Sequence, residues 1–211
     1  MKPNPGNLIV ISAPSGAGKT SLVRALTERM ENVAASISHT TRPCRPGEVD
    51  GIDYFFVAEP EFQKMIVEGD FLEHAKVFGN LYGTSLGQIQ RTLDNGTDLL
   101  LEIDWQGARS IRDIYPEVVS IFIMPPSQAA LRERLVGRGK DGQEVIESRM
   151  QAAVSEISHY REYEFLVVND EFERALDELG LIIHACRLKT ASQRNRLGRS
   201  VASLMASAGT V

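Results

Sequence analysis

A short β-branched run, Leu8-Ile-Val-Ile-Ser12, passes directly into Ala13-Pro14-Ser15-Gly16-Ala17-Gly18-Lys19-Thr20 and then into Leu22, Val23, Leu26 and Met30 at helical spacing. Strand, glycine-bearing turn and helix in that order confine the chain to folds in which a buried strand hands over to a helix N-terminus. The turn follows the pattern of a glycine, four residues and Gly-Lys-Ser/Thr, with Ala13 in place of the first glycine. Gly16 and Gly18 can adopt positive φ, so successive amides can point into one concavity, and the helix that follows adds the positive end of its dipole. Such a concavity suits the triphosphate of a nucleotide, with Lys19 against the β- and γ-phosphates and the Thr20 hydroxyl within reach of Mg2+.

The same grammar recurs. Residues 99–103, 118–123 and 165–168 are apolar runs of strand length, expected to be buried on both faces, and residues 127–136, 144–160 and 172–179 carry helical patterns between or after them. Ser127 follows the Pro125-Pro126 break as a plausible N-cap. This alternation predicts an α/β, three-layer architecture: a parallel sheet flanked by helices. Residues 36–85 differ, with short strand candidates at 54–57, 71–75 and 81–82 between Gly-containing turns, and are expected to form an inserted, mostly β subdomain. The core is then 1–35 plus 86–188. Gly137-Arg-Gly-Lys-Asp-Gly142 interrupts two helical patterns in the manner of a short lid spanning 137–149, and 189–211 remains as a C-terminal tail.

With 211 residues the chain can form one large domain with insertions. A formal net charge of −5 argues against a surface built as a general nucleic-acid footprint, so any anion must be gripped locally. No apolar run approaches the roughly 18 residues needed to span a membrane, and the start Met-Lys-Pro-Asn-Pro lacks a signal-peptide pattern; a cytoplasmic location is expected. Cys44 and Cys186 stand far apart, and His39, His74, His159 and His184 show no triad-like or metal-like spacing. Oligomeric state is not encoded legibly.

Ser38-His-Thr-Thr-Arg42-Pro-Cys-Arg45-Pro-Gly-Glu48 sets two arginines in a proline-stiffened segment of the inserted region. Arginine suits a phosphate because its planar fork donates two hydrogen bonds and keeps its charge. This segment closely resembles the signature region of guanylate kinases. The resemblance continues in order through Glu73-His-Ala, Gly79-Asn-Leu-Tyr82-Gly-Thr84, Glu102-Ile-Asp104-Trp-Gln-Gly107, Pro125-Pro-Ser127, Gly137-Arg138-Gly139, Arg149 and Val168-Asn169-Asp170, covering roughly residues 8–188.

The resemblance implies transfer of the terminal phosphoryl group of ATP to GMP or dGMP, with no nucleic-acid or membrane partner. It implies a GMP phosphate held by Arg42, Arg45, Tyr54 and Tyr82, and a guanine read by Glu73 and Asp104 with the hydroxyls of Ser38 and Thr84. Guanine offers adjacent N–H donors at N1 and N2 and an acceptor at O6, so a carboxylate and a hydroxyl can match it. On the donor side the resemblance implies residues 13–20 with Asn169 and Asp170, and Arg134, Arg138 and Arg149 bridging the two phosphates from the lid. The catalytic set is then Lys19, Arg42, Arg45, Arg138 and Arg149. Glu102 stands where relatives commonly carry Asp, and its longer side chain leaves two arrangements open: direct coordination of Mg2+, or a metal held mainly by Thr20, phosphate oxygens and water. A guanylate-kinase-like module that binds proteins without catalysis could discard Gly16, Gly18, Lys19, Thr20, Arg138 and Arg149; all are retained. A kinase for another acceptor would leave the carboxylates of the pocket unmatched.

Overall fold

Strand β1 (Leu8–Ser12) lies at the centre of a five-stranded parallel sheet, between β7 (Asp98–Glu102) and β8 (Val119–Met124), with β2 (Val33–Ala35) and β9 (Phe165–Val168) on the outside. This is the arrangement in a computed structural model that describes residues 5–77, 79–137 and 143–193 together with Leu197 and Met205. Ile9, Val10 and Ile11 are fully buried, and the period-2 alternation of a strand sends them to opposite faces. Ile9 and Ile11 meet α1 (Lys19–Arg29) and α7 (Phe172–Leu188) through Leu22, Val23, Leu26, Leu176, Leu179 and Ile183. Val10, with Leu99 and Leu101, meets α3 (Leu86–Asp94) and α4 (Trp105–Ile114) through Ile89, Ala108 and Ile111. The three-layer expectation holds. Full burial of each such aliphatic side chain stabilises by about 1.5–3 kcal/mol.

The expectation of two buried faces holds for β7 and β8 but not for β9, where Leu166 and Val168 are exposed because the strand closes the edge of the sheet. The last helix continues nine residues beyond the predicted Leu179, to Leu188, because Ile183 and Cys186 extend its buried stripe. Arg187 at its end donates to the buried carboxylate of Asp98 at 2.7 Å and closes the layer onto β7.

The inserted region forms a second sheet in the order β4 (Phe55–Phe56), β3 (His39–Thr40), β6 (Asn80–Ser85), β5 (Phe71–Val77). It also contains a helix that the sequence pattern did not announce, α2 (Glu59–Glu68), which buries Phe62 against the Phe71 ring. A register shift in β5 lets Phe71 face Ser85 while Glu73 faces Thr84, one residue on. A bulge of this kind re-aims the strand, and here three consecutive residues, Phe71, Leu72 and Glu73, are all buried. The first two face apolar neighbours; the third carries its carboxyl into a cleft between the two sheets.

After β8, α5 (Gln128–Gly137) and α6 (Gln143–Ile157) pack on each other through Leu131, Leu135, Ile146, Met150 and Ala153, a small cluster separate from the two main cores. The predicted lid loop, residues 138–142 with Arg138, lies outside the described residues.

Candidate active site

The phosphate loop leaves β1 at the carboxyl end of the parallel sheet, the usual place for a ligand in an open α/β fold. Gly16 and Gly18 have φ of +91° and +94°, as their place in the motif requires. The Ala17 amide donates to the Pro14 carbonyl at 3.0 Å, closing the turn, and Gly18 caps α1 in the left-handed conformation. A Cβ on Gly18 would lie 2.5 Å from the Asn169 amide nitrogen, so this position is restricted by space as well as by φ.

Three neighbouring residues of the loop are held from outside. The Ser15 amide donates to the Glu156 carboxylate at 3.0 Å. Gly16 sits against Leu131 and Leu135, where an added Cβ would meet their methyls at 3.0 to 3.1 Å. The Ala17 carbonyl accepts from Asn169 Nδ2 at 2.7 Å and from Arg134 Nη1 at 3.3 Å, while Arg134 Nη2 donates to the Asn169 carbonyl at 2.9 Å. Arg134 and Asn169, both expected on the ATP side, are thus engaged with the loop backbone. Asp170 is exposed and pairs with Arg174 at the start of α7. Burial raises the Glu156 carboxyl above its ordinary range, opposed by its bond from Ser15 and the charge of Lys19.

Lys19 reaches the Ile103 carbonyl at 3.4 Å, a long contact readily exchanged for a phosphate. Beside it, the Thr20 hydroxyl donates to Glu102 Oε2 at 3.0 Å. Among the described residues no group of three His, Cys, Asp or Glu side chains could hold a metal by itself. The hydroxyl and single carboxylate side by side nevertheless fit Mg2+, which takes few protein ligands and keeps water and phosphate oxygens for the rest.

Across from the loop, Ser38, Tyr54, Glu73, Tyr82 and Asp104 line the same cleft, of about 290 Å³, as Ser15, Lys19 and Glu102. Thr84, fully buried behind it, donates to Glu73 Oε1 at 2.6 Å as its cross-strand partner. Burial raises the Glu73 carboxyl to about 7; the Thr84 bond opposes the shift and the Asp104 charge adds to it. Asp104 caps α4 by accepting from the Gly107 amide at 2.9 Å. A second cleft, of about 390 Å³, gathers Arg42, Arg45 and Arg149, and Tyr82 belongs to both. Arg42 is buried; it donates to the Pro43 carbonyl and to Glu48 Oε1, both at 2.8 Å, and lies over the rings of Tyr54 and Phe56. The Arg45 amide donates to the other oxygen of Glu48 at 2.8 Å. Glu48, held below the usual carboxylate range by Arg42, therefore shapes the arginine segment.

Residues 5–186 match the family model described as "Guanylate kinase". This chain belongs to the guanylate kinase family. The chain is 56% identical over 200 residues to the guanylate kinase of Pseudomonas fluorescens (strain Pf0-1), covering 95% of this chain and 97% of that protein. It is 51% identical over 204 residues to that of Legionella pneumophila (strain Lens), covering 97% and 98%. Among solved structures, guanylate kinase from Anaplasma phagocytophilum superimposes with a TM-score of 0.77 at 37% identity, covering 93% of this chain and 96% of that one.

In this guanylate kinase family chain the fold brings together all eight residues expected to hold GMP, seven lining the two clefts and Thr84 just behind. Arg149 lines the same cleft as Arg42 and Arg45. Sequence reasoning gave no role to Glu48, Gly107 or Glu156. Glu48 had a local signal, lying three residues after Arg45 in the signature segment, whereas Glu156 meets Ser15 across 141 residues with no local pattern to mark it. Among the described residues no helix is long and apolar enough to cross a membrane.

Proposed function

We propose that this protein transfers the γ-phosphoryl group of ATP to GMP, or dGMP, giving ADP and GDP. The observation that carries the reading is the shared cleft, in which Lys19 and Glu102 of the phosphate-loop side face Ser38, Tyr54, Glu73, Tyr82 and Asp104 of the acceptor side. Residues 36–85 are the GMP-binding subdomain and residues 137–149 the lid of a core formed by 1–35 and 86–188.

The loop amides and Lys19 bind the donor phosphates. Arg42, Arg45, Tyr54 and Tyr82 bind the GMP phosphate, for which Arg42 exchanges its bond to the Pro43 carbonyl. Glu73 and Asp104 accept from the guanine N–H groups, with Ser38 and Thr84 completing the pocket. An oxygen of the GMP phosphate then bonds to the γ-phosphorus as the bond from that phosphorus to the β,γ-bridging oxygen breaks. Alignment and positive charge supply most of the rate in such transfers. Arg149 supplies that charge from α6, and Arg138, outside the described residues, does so by family position. Arg134 and Asn169 act on ATP by bracing the loop. Thr20 and Glu102 would hold Mg2+, which when bound would supply positive charge against the triphosphate. Closure of residues 38–84 onto the core excludes water, which protects ATP from hydrolysis.

The test is a coupled ADP-release assay with ATP and Mg2+, offering GMP, AMP, UMP and CMP separately. Selective turnover with GMP, lost in Lys19→Ala, is the expected result. Preference for another acceptor would overturn the pocket assignment, and GMP binding without turnover would make the chain a binding module.

A further inference from the structure

Helices α5 and α6 grip the phosphate loop residue by residue: Glu156 at the Ser15 amide, Leu131 and Leu135 at Gly16, and Arg134 at the Ala17 carbonyl. Of these contacts, only the one from Glu156 comes from α6. That helix also carries Arg149, which lines the acceptor cleft beside Arg42 and Arg45. Arg149 and Glu156 are seven residues apart, so they stand two turns apart on one face, separated by about 10 Å along the axis. One end of that face therefore touches the donor loop while the other reaches the acceptor arginines.

We propose that Glu156 is a positioning residue for phosphoryl transfer, fixing α6 to the phosphate loop through Ser15 so that Arg149 is set against the acceptor phosphate. This rests on the reading of the reaction given above. The carboxylate is half-buried and lies within the electrostatic reach of Lys19 and Asp104, so it occupies a site whose hydration has partly been given up. What it supplies is reach to a backbone N–H. Its charge is incidental, and a carboxylate that served by charge would instead compete with the triphosphate for Lys19.

Reach and charge separate in two substitutions. Glu156→Gln keeps an acceptor oxygen at the same distance without the charge; Glu156→Asp keeps the charge but is one methylene too short. Positioning predicts that E156Q retains most of the wild-type kcat while E156D and E156A lose about tenfold, a scale typical of small misplacements in aligned sites. Equilibrium ATP affinity, measured without GMP, stays within about twofold in all three, because the two positive-φ glycines and the contacts on Gly16 and Ala17 still direct the loop when the Ser15 bond is lost. In an Arg149→Ala background, E156D adds little further loss, since both act on one step. The proposal is overturned if E156Q falls with E156A while E156D stays active, if ATP binds tighter in E156Q, or if the losses in the double variant multiply. Wild-type enzyme assayed alongside with all four monophosphates keeps the two readings apart: inactivity on GMP with turnover on another acceptor sinks the GMP assignment, and the same variants are then compared on that acceptor.

Discussion

The phosphate loop and the inserted residues 36–85 face each other across one cleft, and as the donor and acceptor sides of the proposed reaction they are prepared for their ligands in different ways. The loop offers backbone amides whose direction is fixed by two glycines at positive φ and by braces on Ser15, Gly16 and Ala17. The acceptor side offers side chains that are engaged with one another: Arg42 with Glu48 and Pro43, and Thr84 with Glu73. A backbone cradle cannot be adjusted one group at a time, whereas a set of paired side chains can exchange partners when substrate enters. The donor side should therefore fail all at once when a glycine of the turn is replaced, and the acceptor side by degrees.

Gly18→Ala is the most damaging change expected. Its Cβ would need the space of the Asn169 amide nitrogen in a backbone conformation that alanine avoids, at a cost of order 1–3 kcal/mol, so the turn and its brace go together. We expect kcat/KM for ATP to fall at least about a hundredfold, as misalignment of this size does elsewhere. Survival of near-normal ATP turnover would show the loop to be as adaptable as the acceptor side.

Arg42→Ala tests the opposite wall. A charge-assisted hydrogen bond contributes about 1.5–3 kcal/mol, so KM for GMP should rise about ten- to a hundredfold while KM for ATP stays within about twofold. Steady-state kinetics with each substrate varied in turn would check it. An equal rise in both constants would mean that Arg42 supports the whole cleft and not its acceptor half.

The third expectation concerns pH. On the proposed reading Glu73 accepts from guanine as the anion, yet burial raises it to about 7, so at pH 6 only about a tenth of the free protein carries that charge. KM for GMP should rise about tenfold from pH 8 to pH 6. The GMP phosphate also titrates near pH 6, so Glu73→Gln is the control: it keeps the ligand's own pH dependence and loses the steeper part. Stability runs the other way. A carboxyl whose folded value is raised favours the folded state fully below its ordinary value near 4.5, and that contribution is lost as pH rises through about 7. Thermal melts should show E73Q gaining on the wild type above pH 7, with the gap closing toward pH 4.5.

The same contrast governs what was legible in the sequence. The loop is contiguous, and its strand and helix follow from local periodicity, so residues 8–30 could be read almost completely. The acceptor residues were legible as a resemblance, scattered over residues 38–104, and their meeting depends on a bulge in β5 that no local pattern marks. Strand β2 is only Val-Ala-Ala, and α2 buries a single large side chain, Phe62, so neither had a periodicity to detect. The braces on the loop come from residues more than 100 positions away, and only the fold brings them there.

Gly107→Ala carries the smallest effect and probes where the two sides touch. Gly107 lies in the first turn of α4, beneath the Asp104 cap, and a Cβ there would stand 3.0 Å from Glu73 Oε2 and 3.3 Å from Ile103 Cβ. Ile103 is also the residue whose carbonyl Lys19 approaches. If acceptor side chains yield by small rotations, the carboxylate moves a few tenths of an ångström and KM for GMP rises only about two- to fivefold, which is about 1 kcal/mol or less. KM for ATP should then be unchanged, because Lys19 is held by the loop. A matching rise in KM for ATP would mean that strain at Glu73 passes through Ile103 to Lys19, and the two walls would have to be treated as one mechanical unit.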